Sequence, residues 1–171
     1  MILQTDRLAL RRFAVSDAPF MHRLLNDPSW LQFIGDRNVR SIPDAERYLQ
    51  DGAIKSYQDH GFGFYLVTLR DSGEPIGTCG FAQRPFLEHP DFGLAFLPEY
   101  TGLGYAHEIS AYTLQYGYDV LGLNRILAYT TEDNKRSIAL LTKLGFRYDR
   151  QIMVDQEELL LFEINRIQLG N

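Results

Sequence analysis

Apolar positions along the chain follow two rhythms, and the switch between them divides it into elements. Alternating or unbroken apolar runs predict strands at Leu8 to Phe13, Phe64 to Leu69, Pro75 to Phe81, Asp91 to Leu97 and Arg125 to Thr131, then a closing hairpin of about Tyr148 to Val154 and Leu159 to Ile164. The period lengthens to that of a helix in four places. Phe20 and Leu24, joined by Met21 and Leu25, follow a capping Ser16 and end before Asn26-Asp27-Pro28, because a residue preceding proline is driven out of helical geometry. Ala45, Leu49, Ala53 and Tyr57 carry a second helix from a Ser41 cap to about Asp59. Ile109, Tyr112, Tyr116 and Val120, broadened by Leu114, Tyr118 and Leu121, give a third from Tyr105 to Leu121. Asp133 or Asn134 caps the last, which carries Ile138, Leu140, Leu141 and Leu144 and stops at Gly145. The stretch from Trp30 to Arg40 has no clean period and reads as a packed connection or one wall of a cleft.

This order of elements predicts an α+β domain spanning residues 1–171, with a largely antiparallel sheet. One helix joins the strand Asp91 to Leu97 to the strand Arg125 to Thr131, so these two are expected to run parallel. The entrance to that crossover, Thr101-Gly102-Leu103-Gly104-Tyr105-Ala106, is a two-glycine turn at the start of a helix. The first N–H groups of a helix lack internal partners, and the macrodipole makes that end positive. The turn is therefore either a phosphate cradle or a plain strand-to-helix connection that needs glycine for its backbone angles. Its place at the carboxyl end of a strand beside a parallel crossover favours the cradle.

Composition narrows the ligand. With 17 Lys and Arg against 22 Asp and Glu, the chain lacks the basic stripe of a nucleic-acid binder. The single cysteine, Cys79, permits no internal disulfide and no thiolate metal cluster, and its apolar surroundings suggest packing. No leader-like start and no apolar run near the ~20 residues of a membrane span are present, so a cytoplasmic protein is expected. A P-loop would need lysine and then serine or threonine after the last glycine, where this chain has Tyr105 and Ala106. A dinucleotide fingerprint would need a third glycine where His107 stands.

The combination Gly102-x-Gly104-Tyr105-Ala106-x-Glu108, the strand at 125–131, Asn134-Lys135-Arg136-Ser137 and Lys143-Leu144-Gly145-Phe146 resembles the GNAT N-acetyltransferases. The opening Thr5-Asp6-Arg7-Leu8-x-Leu10-Arg11 and the later Asp91-Phe92-Gly93-Leu94 are similar to the RimJ/RimL-like branch. The resemblance covers about residues 4–166. It implies a mixed, largely antiparallel sheet with helices on both faces, whose fourth and fifth strands, in that family's count, run parallel but splay, with acetyl-CoA in the wedge. Its pyrophosphate would lie on the backbone of Thr101, Gly102, Leu103, Gly104, Tyr105 and Ala106, and its pantetheine arm would pair with Phe96 and Leu97. Asn134 would hold the pantetheine, cap the helix, or do both. No metal is implied. The chain departs from the superfamily at Glu99, where glutamine or arginine is usual; an acid there is expected to face solvent or a basic neighbour.

Acetyl transfer needs a neutral amine, a polarised thioester carbonyl and a proton for the leaving thiolate. Many GNAT enzymes place a tyrosine seven residues after the asparagine, and this chain has Leu141. The RimL-like pattern points to Ser137 as proton donor, against the plain reading of a first-turn serine bonding local backbone. Asp91 is the candidate general base, against the plain reading of a strand-edge aspartate in solvent. His22, His89 and His107 lack supporting context. With no clear base, an α-amine is the easier acceptor: roughly one in seven is neutral at pH 7, against about one in 2500 lysine amines. Trp30, Phe33 and Arg37 are the candidate walls of the acceptor pocket, with Arg37 available for an acceptor carboxylate. The expected partner is thus a protein N-terminus or an amino-acid-like amine, and the chain a monomer or homodimer. A CoA-binding regulator that has lost catalysis and a protein binding a different nucleotide are the rivals.

Overall fold

Eight strands form one mixed sheet in a computed structural model that describes residues 1–166. The strands are β1 (Leu3–Gln4), β2 (Leu8–Arg12), β3 (Phe64–Leu69), β4 (Pro75–Ala82), β5 (Asp91–Phe96), β6 (Arg125–Thr130), β7 (Arg147–Val154) and β8 (Glu157–Asn165), in the spatial order β1-β2-β3-β4-β5-β6-β8-β7. Every neighbouring pair is antiparallel except β5 and β6. The helices are α1 (Ala18–Leu25), α2 (Pro28–Phe33), α3 (Ile42–Leu49), α4 (Lys55–His60), α5 (Tyr105–Asp119) and α6 (Lys135–Leu144), with a π-helical turn at Gln50–Ile54 between α3 and α4.

One face of the sheet is covered by α5 and α6, whose Ile109, Leu114, Tyr118, Leu141 and Leu144 pack on Val67, Cys79, Phe92 and Ile126. On the other, Leu24, Leu25, Ala45 and Leu49 of α1 and α3 meet Leu66 and Leu97. Cys79 is fully buried, and burial pushes its thiol up to about 12, so it packs as a small apolar residue. Leu141, where the resemblance sought a tyrosine, is also a core residue.

Several expected boundaries move, each for a local reason. Ser16 does not cap α1. Asp17 takes the N-cap position one residue later without a side-chain cap bond; its carboxylate accepts the Ala14 N–H at 2.8 Å and both terminal nitrogens of Arg11 at 2.9 and 2.8 Å, across a 3-10 turn at 15–17. The aperiodic stretch from Trp30 begins inside α2. Pro28 ends one helix and occupies the first turn of the next, with Asp27 as N-cap accepting from the Ser29 N–H. The closing hairpin turns on Asp155 and Gln156 alone, both at positive φ, so Glu157 and Glu158 belong to β8. Leu3–Gln4, too short to show a period, is an additional edge strand.

The buried face of α5 also differs from the expected stripe. Tyr112 and Val120 are exposed, whereas Ile109, Ser110, Thr113, Leu114, Gly117 and Tyr118 are buried. Small and hydroxyl residues line the contact because the helix lies close to the sheet. A Cβ on Gly117 would stand 2.7 Å from the Phe81 ring.

Candidate active site

The parallel pair meets in a single register position, Asp91 opposite Leu127, supported by the Leu127 N–H donating to Pro90 O at 2.9 Å. Beyond it the ladder does not continue, and the carboxyl ends of β5 and β6 splay into a wedge. On its far side β5 stays in register with β4 from Asp91–Ala82 to Phe96–Gly77. The Leu97 N–H donates to Ile76 O at 3.0 Å. Backbone groups alternate sides along a strand, so this bond fixes which ones face the wedge. They belong to Leu94 and Phe96. Leu97, expected to pair with a pantetheine arm, turns its N–H to β4 instead. That Leu94 faces the wedge is not visible in the sequence, because only the register reveals the parity.

The glycine loop stands beside the open end. Gly102 and Gly104 hold φ of 76° and 84°, a region that side-chain-bearing residues resist. The first helical bond of α5 runs from the Glu108 N–H to Gly104 O. Among the described residues the N–H groups of 102–107 donate to nothing. The Thr101 N–H is already committed to Pro98 O at 3.1 Å, so the row of free donors begins one residue later than the sequence suggested and gains His107. Residues 101–104 are all exposed. A row of open N–H groups at the positive end of a 15-residue helix fits a pyrophosphate. Glu99 points away from it, paired with Arg23.

Across the wedge, Asn134 caps α6 by accepting the Ser137 N–H at 3.2 Å. The Ser137 hydroxyl is half-buried and makes no hydrogen bond among the described residues, so the local-backbone role is not the one it takes. Asp91 is not at a solvent edge. It is 3% exposed, at the closed end of the wedge, and accepts the Arg84 Nε–H at 3.0 Å. Burial pushes its carboxyl above the ordinary range, and the Arg84 charge opposes the rise without cancelling it. Arg84 in turn lies over the Tyr129 ring, 5.6 Å from its centroid.

The three candidate acceptor residues lie on α2 and in the segment that follows it. Trp30 packs against the α1–α3 core with its buried Nε1–H unpartnered, and Phe33 is half-buried on the same short helix. Arg37 is exposed and lines a shallow cavity of about 250 Å³ with Tyr48 and Arg47 of α3. A larger open cavity, about 530 Å³, lies where α2 approaches the β6–α6 link and the β7–β8 hairpin. Gln32, Thr131, Glu132, Asp133, Lys135, Glu157 and Glu158 line it, so four carboxylates face one ammonium. Among the described residues no group of three or more His, Cys, Asp or Glu is placed to hold a metal ion.

The profile of the acetyltransferase (GNAT) domain family matches residues 7–147. The chain belongs to the GNAT acetyltransferases. This GNAT chain is 34% identical over 149 residues to the uncharacterized N-acetyltransferase YoaA of Bacillus subtilis, covering 85% of this chain and 82% of that one. Its fold is similar to that of spermidine N-acetyltransferase from Vibrio cholerae, solved with CoA and spermine (TM-score 0.81, 18% identity, 98% and 100% of the two chains). It is also similar to that of RimL, a ribosomal L7/L12 α-N-protein acetyltransferase, solved with coenzyme A (TM-score 0.79, 21% identity, 96% and 97%). Fold likeness at these scores does not single out one branch of the GNAT enzymes.

Proposed function

We propose that this acetyltransferase moves the acetyl group of acetyl-CoA directly to a primary amine in a ternary complex. One observation carries the reading: among the described residues the one parallel strand pair meets at Asp91–Leu127 alone and opens beside the unpaired N–H groups of 102–107. In this reading Gly102 to His107 hold the pyrophosphate, the backbone of Leu94 and Phe96 pairs with the pantetheine arm, and an N–H of β5 polarises the thioester carbonyl. The amine nitrogen bonds to the carbonyl carbon as the C–S bond breaks. Ser137 gives its hydroxyl proton to the leaving thiolate. Asp91, whose raised basicity suits a base, is the sink for the amine proton. The acceptor is an α-amine, of a protein N-terminus or an amino-acid-like molecule, bounded by Trp30, Phe33 and Arg37.

A second reading of the acceptor rests on the acidic cavity at the β6–α6 link. Four carboxylates there suit an amine that carries further positive charge, such as a polyamine. Thiol release from acetyl-CoA, followed against N-terminal peptides, free amino acids and polyamines, separates the two. Calorimetry with CoA, NAD and ATP tests the donor. Tight binding of NAD or ATP without CoA overturns the reading, and CoA binding without thiol release on any amine makes the protein a regulator.

A further inference from the structure

The N-terminal segment grips the glycine loop from behind, through one side chain. Arg7 donates from NH1 to Leu103 O at 2.9 Å and from Nε to Glu108 Oε2 at 2.7 Å, with NH2 2.6 Å from the same oxygen. Its guanidinium lies over the Tyr105 ring, 4.5 Å from the centroid. Glu108 also accepts the Arg7 N–H at 3.1 Å and the Thr5 hydroxyl at 2.6 Å. The segment is anchored in turn to the β3–β4 turn, since the Arg70 N–H donates to Arg7 O and its guanidinium to Thr5 O. A single residue, far away in sequence, thus touches the loop's backbone, its first helical ring and its first-turn acid.

Two consequences follow from elementary geometry and charge. A trans peptide is planar, with its C=O and N–H pointing to opposite sides. By holding Leu103 O, Arg7 fixes the plane of the 103–104 peptide and directs the Gly104 N–H away from itself, outward from the loop. The same guanidinium neutralises Glu108, which would otherwise place a bare carboxylate one turn from any bound anion. A Cβ on Gly104 would meet Arg7 NH2 at 3.2 Å, so the glycine also makes room for the clamp.

We infer that Arg7 is the positioning residue of the diphosphate cradle and sets the preference of this site for donors that carry a diphosphate. The inference rests on the acetyl-CoA reading above. The test compares affinities of the whole protein for CoA and for pantetheine, the same arm without its diphosphate. Arg7→Gln lowers CoA affinity about tenfold, as expected for a lost charge-assisted contact set, and leaves pantetheine affinity within about twofold. Arg7→Lys keeps a cation beside Glu108 without the fork that also reaches Leu103 O. It retains the melting temperature and still loses CoA affinity, which guards against a Gln variant that fails to fold. Equal losses for both ligands, or a Lys variant that binds CoA like the wild type, overturn the role of Arg7. A wild-type protein that binds pantetheine and CoA equally overturns the cradle itself.

Discussion

Gly117 of α5 and Phe81 of β4 are in such close contact that one methyl group between them would sit 2.7 Å from the ring carbon. Phe81 is fully buried and cannot swing away. Alanine at position 117 gains about 1 kcal/mol in helix preference, but overpacking costs roughly 1–3 kcal/mol, and a contact this short falls at the costly end. Gly117→Ala therefore lowers stability by about 1–2 kcal/mol net, seen as a fall of roughly 2–8 °C in the melting temperature. A rise would show that α5 can lift from the sheet.

Ser137 and Asn134 separate chemistry from architecture. Ser137→Ala leaves the cap intact, because Asn134 bonds the backbone N–H of 137 rather than its hydroxyl. Turnover falls about a hundredfold, the scale of a lost proton donor, with CoA affinity within about twofold. Asn134→Ala instead costs about 1 kcal/mol of stability through the lost cap. An unchanged turnover in the serine variant removes it from the mechanism.

The parity of β5 can be read with single-atom replacements. An amide-to-ester change that deletes the N–H of residue 94 removes a donor facing the wedge. The expected result is a roughly fivefold loss of CoA affinity with little change in melting temperature, about the worth of one hydrogen bond. The same change at residue 97 breaks the bond to Ile76 O and does the reverse. If both behave alike, the arm does not lie on this edge.

Asp91 has a pH signature. Its carboxyl is raised above the usual value by burial, with Arg84 opposing. Between the ordinary carboxylate value near 3.8 and the raised one, the folded protein binds more protons than the unfolded chain, so this residue's contribution to stability falls as pH rises through that window. Asp91→Asn removes the dependence and leaves Arg84 without its partner. Because Arg84 keeps 29% of its side chain exposed, screening trims that loss to about 1–3 kcal/mol. If Asp91 is also the proton sink, wild-type turnover rises with pH across the same window and the Asn variant's does not. A flat wild-type profile there assigns the base elsewhere.

The hydrophobic rhythm made most of the fold legible, because runs such as Phe64–Leu69 and capped helices such as Ser41–Leu49 state their period within a few residues. It misplaced features set by partners distant in sequence. Arg11 turns Asp17 into the N-terminal anchor in place of Ser16. The close approach to Phe81 rotates the buried face of α5 away from Tyr112 and Val120. The hairpin at Asp155-Gln156 lacks the glycine that usually announces such a turn. At the site, the glycine loop was visible because glycine and a helix start carry its geometry locally. The switch from Leu97 to Leu94 was not, since it depends on which edge of β5 meets β4. Nor was the burial of Asp91, which depends on Arg84 folding back over it from the preceding loop.

The lone Asp91–Leu127 pairing divides the sheet into a raft of five strands, β1 to β5, and a raft of three, β6, β8 and β7. Elsewhere the rafts are tied mainly by helices, with α5 lying on β4 and β5, α6 on β6, and the two helices touching each other. A donor whose arm pairs with β5 would act as a partial extra strand and stitch the rafts together. By mass action, a hundredfold excess over its dissociation constant adds about 2.7 kcal/mol to the folded state. The cohesion of the whole sheet would then be coupled to the supply of that donor, and a protein without it would be a looser one.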